Sequence, residues 1–146
     1  MFSDDFKRGS SSFIKLDDGG KVVGVFAGAP LEYKNNFKLK QKYPMGLESY
    51  PDGTSTRFKI NFLVGREGKF FPFVFESSKG TALTLEAVTK KYGVDYIYEI
   101  TRNGSGKKTV YSIMPERALT PEEKSAISKI KLAELTIGQT AEDSED

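Results

Sequence analysis

The sequence contains no cysteine, no histidine and no tryptophan. Without cysteine, a disulfide framework, a thiol nucleophile and a thiolate metal site are excluded. Without histidine, there is no imidazole base, no Ser-His-Asp triad and no histidine ligand for zinc. An enzyme of this composition would have to use carboxylates, lysine, tyrosine or serine, and no buried acid pair is identifiable. We therefore expect a protein that is not an enzyme and that uses no metal or cofactor.

Long hydrophobic runs are also lacking. No apolar segment approaches the roughly 20 residues that span a bilayer, and the first five residues are acidic and polar where a signal peptide is basic and then apolar. The chain of 146 residues is long enough for one domain with a real core. These features predict a soluble, cytoplasmic protein with no membrane partner. Residues 1–12 end in Gly-Ser-Ser-Ser, which predicts a flexible N-terminal arm.

The net charge of +2 is small but unevenly distributed. Residues 1–118 contain 19 Lys and Arg against 13 Asp and Glu, whereas residues 119–146 contain 3 against 7. The last six residues, 141–146, carry no apolar side chain larger than alanine, and we expect a disordered acidic tail over 137–146 that binds partners or inhibits the basic body. Its four acids are Glu142, Asp143, Glu145 and Asp146.

Alternating polar and apolar residues predict a mainly β body. The expected strands are Phe13–Leu16, Lys21–Gly28, Thr56–Val64, Lys69–Glu76, Tyr96–Thr101 and Thr109–Met114, with a helix over Ala82–Tyr92 that Gly93 ends. We expect Gly24 and Gly28 to let the first long strand bend. Thr120, Pro121 and Glu123 form a helix-start signature, from which a helix running to about Leu135 is predicted.

The order of these elements matches an OB-fold, a five-stranded barrel with a helix between strands 3 and 4. We therefore expect an OB domain over residues 13–118, a C-terminal helix over 119–136 and the acidic tail. An SH3-like or other small barrel stays as the alternative. In OB-folds, strands 2 and 3 and two loops bind oligonucleotides or oligosaccharides.

One stretch, residues 34–43, contains four lysines and no acid. In an extended chain, Lys34, Lys38, Lys40 and Lys42 share one face, with Phe37, Leu39 and Tyr43 on the other. Alternate residues are roughly 6.6 Å apart, a distance comparable with the spacing of phosphates on a stretched single strand. The alternative interpretation is a solubilising edge strand protected by lysine.

Two further basic groups suggest a groove that follows a nucleic-acid backbone. Arg57 and Lys59 share one face of the second long strand, which is the outer face if Phe58 and Ile60 point inward. Three other cations, Arg102, Lys107 and Lys108, flank the predicted loop between the last two strands. Convergence of these groups on one groove is the pattern expected for phosphate neutralisation.

Aromatic residues supply the candidates for base stacking. The pleat forces neighbouring residues of the 69–76 strand to opposite faces, and we predict that Phe71 and Phe73 point outward, opposite Arg57 and Lys59. The alternative places these two rings in the core and leaves Phe70 exposed. Among weaker candidates, Phe37 and Tyr111 are included in the predicted site, although each is also a reasonable core residue.

Segments Ile100–Pro115, Phe58–Val64 and Lys69–Glu76 resemble a family of tailed-bacteriophage single-stranded DNA-binding proteins, and Phe13–Pro30 is similar too. The resemblance covers about residues 13–118. It implies a protein that coats single-stranded DNA during phage replication and recombination, in the cytoplasm of an infected bacterium. The acidic tail resembles those of single-stranded DNA-binding proteins generally, which implies that it recruits replication or recombination proteins and competes with DNA.

One departure from the family pattern, and one from the usual tail of single-stranded DNA-binding proteins, limit what these resemblances imply. Many members carry a cysteine cluster, apparently a zinc loop, where residues 43–55 here have neither Cys nor His. Zinc is therefore not expected, and turn chemistry must hold this loop unless it is mobile. The tail ends in Glu145-Asp146 instead of an apolar tip.

The sequence thus predicts a single-stranded DNA-binding protein with little sequence preference. A protein-interaction OB scaffold and an RNA-binding OB protein stay as alternatives. Homodimer formation is left open.

Overall fold

The structure is a computed structural model that describes residues 12–138. Most of the predicted N-terminal arm, residues 1–11, lies outside the described residues. So do residues 139–146, which carry the four acids of the predicted tail, Glu142, Asp143, Glu145 and Asp146.

The described chain consists of seven strands and two helices, with one 3-10 turn. The strands are β1 (Ser12–Phe13), β2 (Lys21–Asn36), β3 (Gln41–Tyr43), β4 (Ser55–Arg66), β5 (Lys69–Ser78), β6 (Tyr96–Asn103) and β7 (Val110–Ala118). The helices are α1 (Lys79–Tyr92) and α2 (Pro121–Ser128), and the 3-10 turn is Gly106–Lys108. The mainly β prediction is confirmed.

All strands belong to one sheet in the order β1-β5-β4-β2-β6-β7, with β3 paired to the end of β2. The pairs are antiparallel except for β1, which runs parallel to β5. Within residues 12–138, no backbone pairing joins β5 to β7, so the sheet is not closed into a hydrogen-bonded barrel. The predicted hairpins β4–β5 and β6–β7 are both present.

Strand β2 is the central strand, and it bends. Its first part pairs with β6 through Lys21–Gly24, while most of its length pairs with β4. The β4 register shifts between Ala27 and Leu31, and Gly28 has a φ of +77°, a conformation that favours glycine. The predicted bend is therefore present, and the strand continues past its predicted end at Gly28.

The inner face of the sheet carries the main core. Its buried side chains come from β2, β4, β5, β6, β7 and α1: Phe26, Phe58, Ile60, Phe62, Val64, Phe75, Leu85, Tyr98, Ile100 and Ile113. Between β5 and β7, which are not paired with each other, the rings of Phe75 and Tyr111 meet edge to face with their centroids 5.2 Å apart. Side-chain packing therefore joins these two strands where backbone pairing does not.

The N-terminal segment differs from the prediction of a strand over Phe13–Leu16, since only Ser12–Phe13 is a strand. Phe13 pairs with Val74 on β5, and Ile14 and Leu16 pack against the main core. This apolar segment is stabilised more by burial at the edge of β5 than by pairing with β2.

The outer face carries a second buried cluster of Val25, Ile97 and Leu119, against which Ile127 of α2 packs. The predicted start of α2 is confirmed, because Thr120 and Glu123 cap each other reciprocally. Within residues 12–138, neither helix has the length and apolar composition to cross a membrane.

Helix α2 ends at Ser128, so the prediction of a helix to about Leu135 is wrong. Residues 131–136 have no regular secondary structure. The Asn61 side chain donates to the Ala133 carbonyl oxygen at 3.0 Å and accepts from the Ala133 amide at 2.9 Å. A continuing helix would need the same Ala133 amide and carbonyl for its own backbone hydrogen bonds. We call residues 130–138 the C-terminal strap.

The close approach of β2 to β4 predicts the effect of a substitution at Gly24. A Cβ there would lie 2.2 Å from the Leu63 carbonyl oxygen, which is backbone and cannot rotate away. Gly24→Ala should lower the free energy of unfolding in urea by about 1–3 kcal/mol. The control is Gly80→Ala in α1, where an added Cβ has room. This substitution should be neutral or should stabilise the protein by up to about 1 kcal/mol. Equal losses would contradict this account.

Candidate functional site

The basic stretch 34–43 is a tight hairpin and not the extended strand that the sequence predicts. Lys34 pairs with Tyr43 across β2 and β3, and the chain reverses over residues 37–40. The Lys40 amide donates to the Phe37 carbonyl oxygen, and Lys40 has a φ of +56°. The prediction that the four lysines form a regular row on one face is therefore wrong. All four lie within residues 34–43, which we call the basic hairpin.

Asn36 holds the basic hairpin in shape. Its side chain is completely buried, and its Oδ1 accepts from the Leu39 amide at 2.9 Å. Its Nδ2 donates to the Asp52 carbonyl oxygen at 3.0 Å and to the Thr54 hydroxyl at 3.1 Å. One amide side chain thus joins the turn to the following loop.

Turn chemistry also orders the loop that lacks the family's cysteine cluster. The Tyr50 hydroxyl donates to the Pro44 carbonyl oxygen at 2.7 Å and accepts from the Leu47 amide at 3.0 Å. The Tyr50 ring contacts the Tyr43 ring at 5.9 Å. Of the two predicted states of this loop, the structure has the ordered one.

An exposed ring lies at the tip of the basic hairpin. Phe37 is 65% exposed, and the Arg57 guanidinium carbon lies 5.5 Å from its ring centroid. Arg57 comes from β4, where it pairs with Tyr33 of β2. A flat guanidinium beside an exposed phenyl ring combines a cation with a stacking surface.

The lysines of the basic hairpin differ in their exposure. Lys38 and Lys40 are exposed. Lys34 donates to the Thr56 hydroxyl at 2.7 Å and lies 5.3 Å from the Tyr50 ring centroid, and Lys42 lies 5.9 Å from the Tyr33 ring centroid. The hairpin therefore presents positive charge next to aromatic rings.

Tyr33 is buried beneath this surface and is not a stacking platform. Its hydroxyl donates a hydrogen bond to the Glu76 carboxylate. Burial, reinforced by Glu76, raises the pKa of the Tyr33 hydroxyl above its usual range, so the ring stays neutral at any ordinary pH.

Lys59 lies on the outer face of β4, as predicted, but it is completely buried. Its ammonium donates to the carbonyl oxygens of Thr136 at 2.7 Å and Ile137 at 3.4 Å. The prediction of an open face here is wrong, because the C-terminal strap covers it.

The prediction for the phenylalanines of β5 is also wrong. Phe73 pairs with Phe62 and packs against the main core, and Phe71 is on the same face, opposite Val64. Side chains two residues apart share a face, so the burial of Phe75 brings both rings to the inner side. Phe71 is still 42% exposed, beyond the edge of the core. Phe70 is half-buried against the second cluster.

The remaining candidates are separate from the basic hairpin. Arg102 donates to the carbonyl oxygens of Leu16 at 2.6 Å and Gly104 at 3.1 Å, so its guanidinium holds two loops together. Lys107 and Lys108 are exposed in the 3-10 turn. The end of β6 that leads into this turn pairs with Lys21, at the start of β2. The basic hairpin, which contains Lys34, is at the opposite end of β2.

The structure therefore brings together only part of the predicted site, the basic hairpin with Arg57. Tyr111 contributes its ring to the core edge instead of to a surface. Sequence reasoning missed Asn36 and Tyr50, which shape the site. The Asn35-Asn36 pair was an available signal, since asparagine favours turns.

No metal centre is assembled from acidic side chains in the described range 12–138. Comparison of the chain with protein-family models, with curated proteins and with solved structures finds no match. The phage resemblance remains a prediction, and function has to be argued from this geometry.

The contacts of Asn36 predict a large effect of its removal. Asn36→Ala leaves the Leu39 amide and the Asp52 carbonyl without their partner and should cost about 1–3 kcal/mol of unfolding free energy. The Leu39 amide should also exchange faster with solvent deuterium. The control Asn103→Ala removes one exposed hydrogen bond, to Ser112, and should change stability by less than about 0.5 kcal/mol. Unchanged Leu39 exchange would contradict the role of Asn36.

Proposed function

We propose that this protein binds single-stranded DNA through the basic hairpin and Arg57, without catalysing a reaction. The observation that carries the proposal is the exposed Phe37 ring with the Arg57 guanidinium beside it, on a hairpin containing four lysines and no acid. Exposed cations next to exposed rings are the composition that single-strand binding uses.

The charges act on the nucleic-acid backbone. Lys38 and Lys40 are exposed and lie within the turn, so phosphates can approach both ammonium groups. Each phosphate that is neutralised releases condensed counterions, which makes binding favourable at low salt. Such contacts carry no sequence information, which agrees with coating of DNA irrespective of its sequence.

Phe37 acts on the bases. Its ring is 65% exposed beside the Arg57 guanidinium and can stack on an unpaired base, whereas the bases of a duplex are already stacked on each other. Base stacking on an aromatic ring is worth about 1–3 kcal/mol per base. The ring therefore favours a single strand over a duplex.

The strand order supports an OB-fold. The path β5-β4-β2-β6-β7 is the order 3-2-1-4-5 of OB strands, with α1 between the third and fourth. The Phe75–Tyr111 contact stands where backbone pairing of strands 3 and 5 would complete the barrel. In this assignment the basic hairpin belongs to the connection between strands 1 and 2, a ligand-binding loop of OB-folds.

The sequence resemblance supports DNA as the polymer and a role in phage replication and recombination. RNA would meet the same cations and the same ring, because nothing in the basic hairpin is specific for a 2′-hydroxyl. A binding competition of single-stranded DNA against RNA and duplex DNA therefore ranks the affinities of the protein for these polymers.

Titration of a fluorescent thymidine oligomer over a range of salt concentrations tests the proposal. Log affinity should fall linearly with log salt, by about 0.7 for each phosphate contacted. The double variant Lys38→Ala/Lys40→Ala should flatten this slope by about 1.4, that is by about 0.7 for each lysine removed.

The matched control is Lys90→Ala/Lys91→Ala, which removes the same charge from the last turn of α1. Its slope should stay at the wild-type value, because these lysines lie on another element. An absence of binding at low salt would overturn the proposal, as would an equal loss in both double variants.

A further inference from the structure

The C-terminal strap lies across the outer face of β2 and β4. Leu132 is close to Gly28, where an added Cβ would lie 3.3 Å from the leucine Cδ1. Two hydrogen bonds join Asn61 to the backbone of Ala133, and Lys59 binds the carbonyl oxygens of Thr136 and Ile137. The strap is therefore held largely through its main chain.

The residues under the strap continue the line of the basic hairpin. Arg57, Lys59 and Asn61 are alternate residues of β4, so their side chains leave the same face at steps of roughly 6.6 Å. Arg57 is half-buried beside Phe37, while Lys59 and Asn61 are covered. The same strand face thus has an open end and a covered end.

The composition of the covered end is unusual for a permanent contact between two parts of a chain. The Lys59 ammonium is completely buried, and burial of a cation carries a desolvation cost that an apolar side chain would not have. Two rings also lie near this ammonium, Tyr33 at 5.1 Å and Phe13 at 5.9 Å from the ring centroids. A cation and an amide are groups that bind the phosphates and bases of nucleic acids.

We propose that Lys59 and Asn61 form a second segment of the strand-binding site, which the C-terminal strap occupies in the free protein and leaves when nucleic acid binds. This inference rests on the proposed function. The basic hairpin binds the strand first, and strap release then extends the contact along β4.

The exchange is physically reasonable because phosphate is a better acceptor than the Thr136 and Ile137 carbonyl oxygens. A hydrogen bond from an ammonium to an anionic oxygen is stronger than one to a neutral carbonyl oxygen. Helix α2 does not need to move, since Thr120, Glu123 and Ile127 hold it independently of the strap. Release therefore concerns only the residues that follow α2.

Limited trypsin digestion reports the strap directly, because Lys131 is exposed and precedes the docked residues. A thymidine oligomer should speed cleavage after Lys131 several-fold in the full chain. The variant Ala133→Pro lacks the amide that Asn61 accepts from and should be cleaved faster even without DNA. Cleavage that DNA leaves unchanged or slows, in a chain that binds the oligomer, would overturn the inference.

Oligomer titrations with three further chains complete the test. A chain ending at Lys129 lacks the strap and all that follows it, and one ending at Gly138 lacks only residues 139–146, which include the four tail acids. Relative to the chain ending at Gly138, the chain ending at Lys129 should bind several-fold more tightly and cover more nucleotides. The full-length Ala133→Pro variant should show the same gain over the full-length wild type, which keeps the test valid if the shortened chain unfolds.

The outcomes separate the two proposals. Binding by every chain with equal affinity and equal length of covered DNA would overturn strap release but leave the proposed function intact. No binding by any chain would overturn both. Binding only by the chains with a removed or loosened strap would overturn the inference, because the basic hairpin would then be unable to bind the strand before the strap is released.

Discussion

Most of this structure depends on the bend of β2, which lets one strand pair with β6 at its start, with β4 along its length and with β3 at its end. The register with β4 shifts between Ala27 and Leu31, and Gly28 within this bulge has a positive φ. Because β2 continues past the bulge to Asn36, the basic hairpin projects from the sheet on a paired base. The position of the exposed Phe37 ring follows from this one strand.

The two faces of the sheet have different uses. The inner face is an aromatic and aliphatic core that α1 and the N-terminal segment cover. The outer face carries polar groups on β4, of which Arg57 stays accessible while Lys59 and Asn61 lie beneath the C-terminal strap. Under the proposed function, this arrangement gives a single-strand site with a permanently open part and a part that opens on binding.

Sequence patterns correctly predicted the features that depend on interactions between neighbouring residues. The capping box at Thr120, the helix stop at Gly93 and the two long hairpins are all present, since each depends on neighbouring residues. Predictions failed where contacts between residues far apart in the sequence determine the structure. Phe residues occur at both parities of β5, so only the register with β4 reveals that Phe73 faces the core. The helix stops early because Asn61, far away in sequence, binds the backbone of Ala133.

The central claim is that an unpaired base stacks on Phe37. Ultraviolet cross-linking of a thymidine oligomer, followed by tryptic digestion and mass spectrometry, tests that contact directly, because trypsin releases Phe37 in a short peptide, residues 35–38. We predict nucleotide attached to this peptide, and its loss in a Phe37→Leu variant that still binds the oligomer. Cross-links confined to other peptides, with residues 35–38 unmodified, would contradict the account.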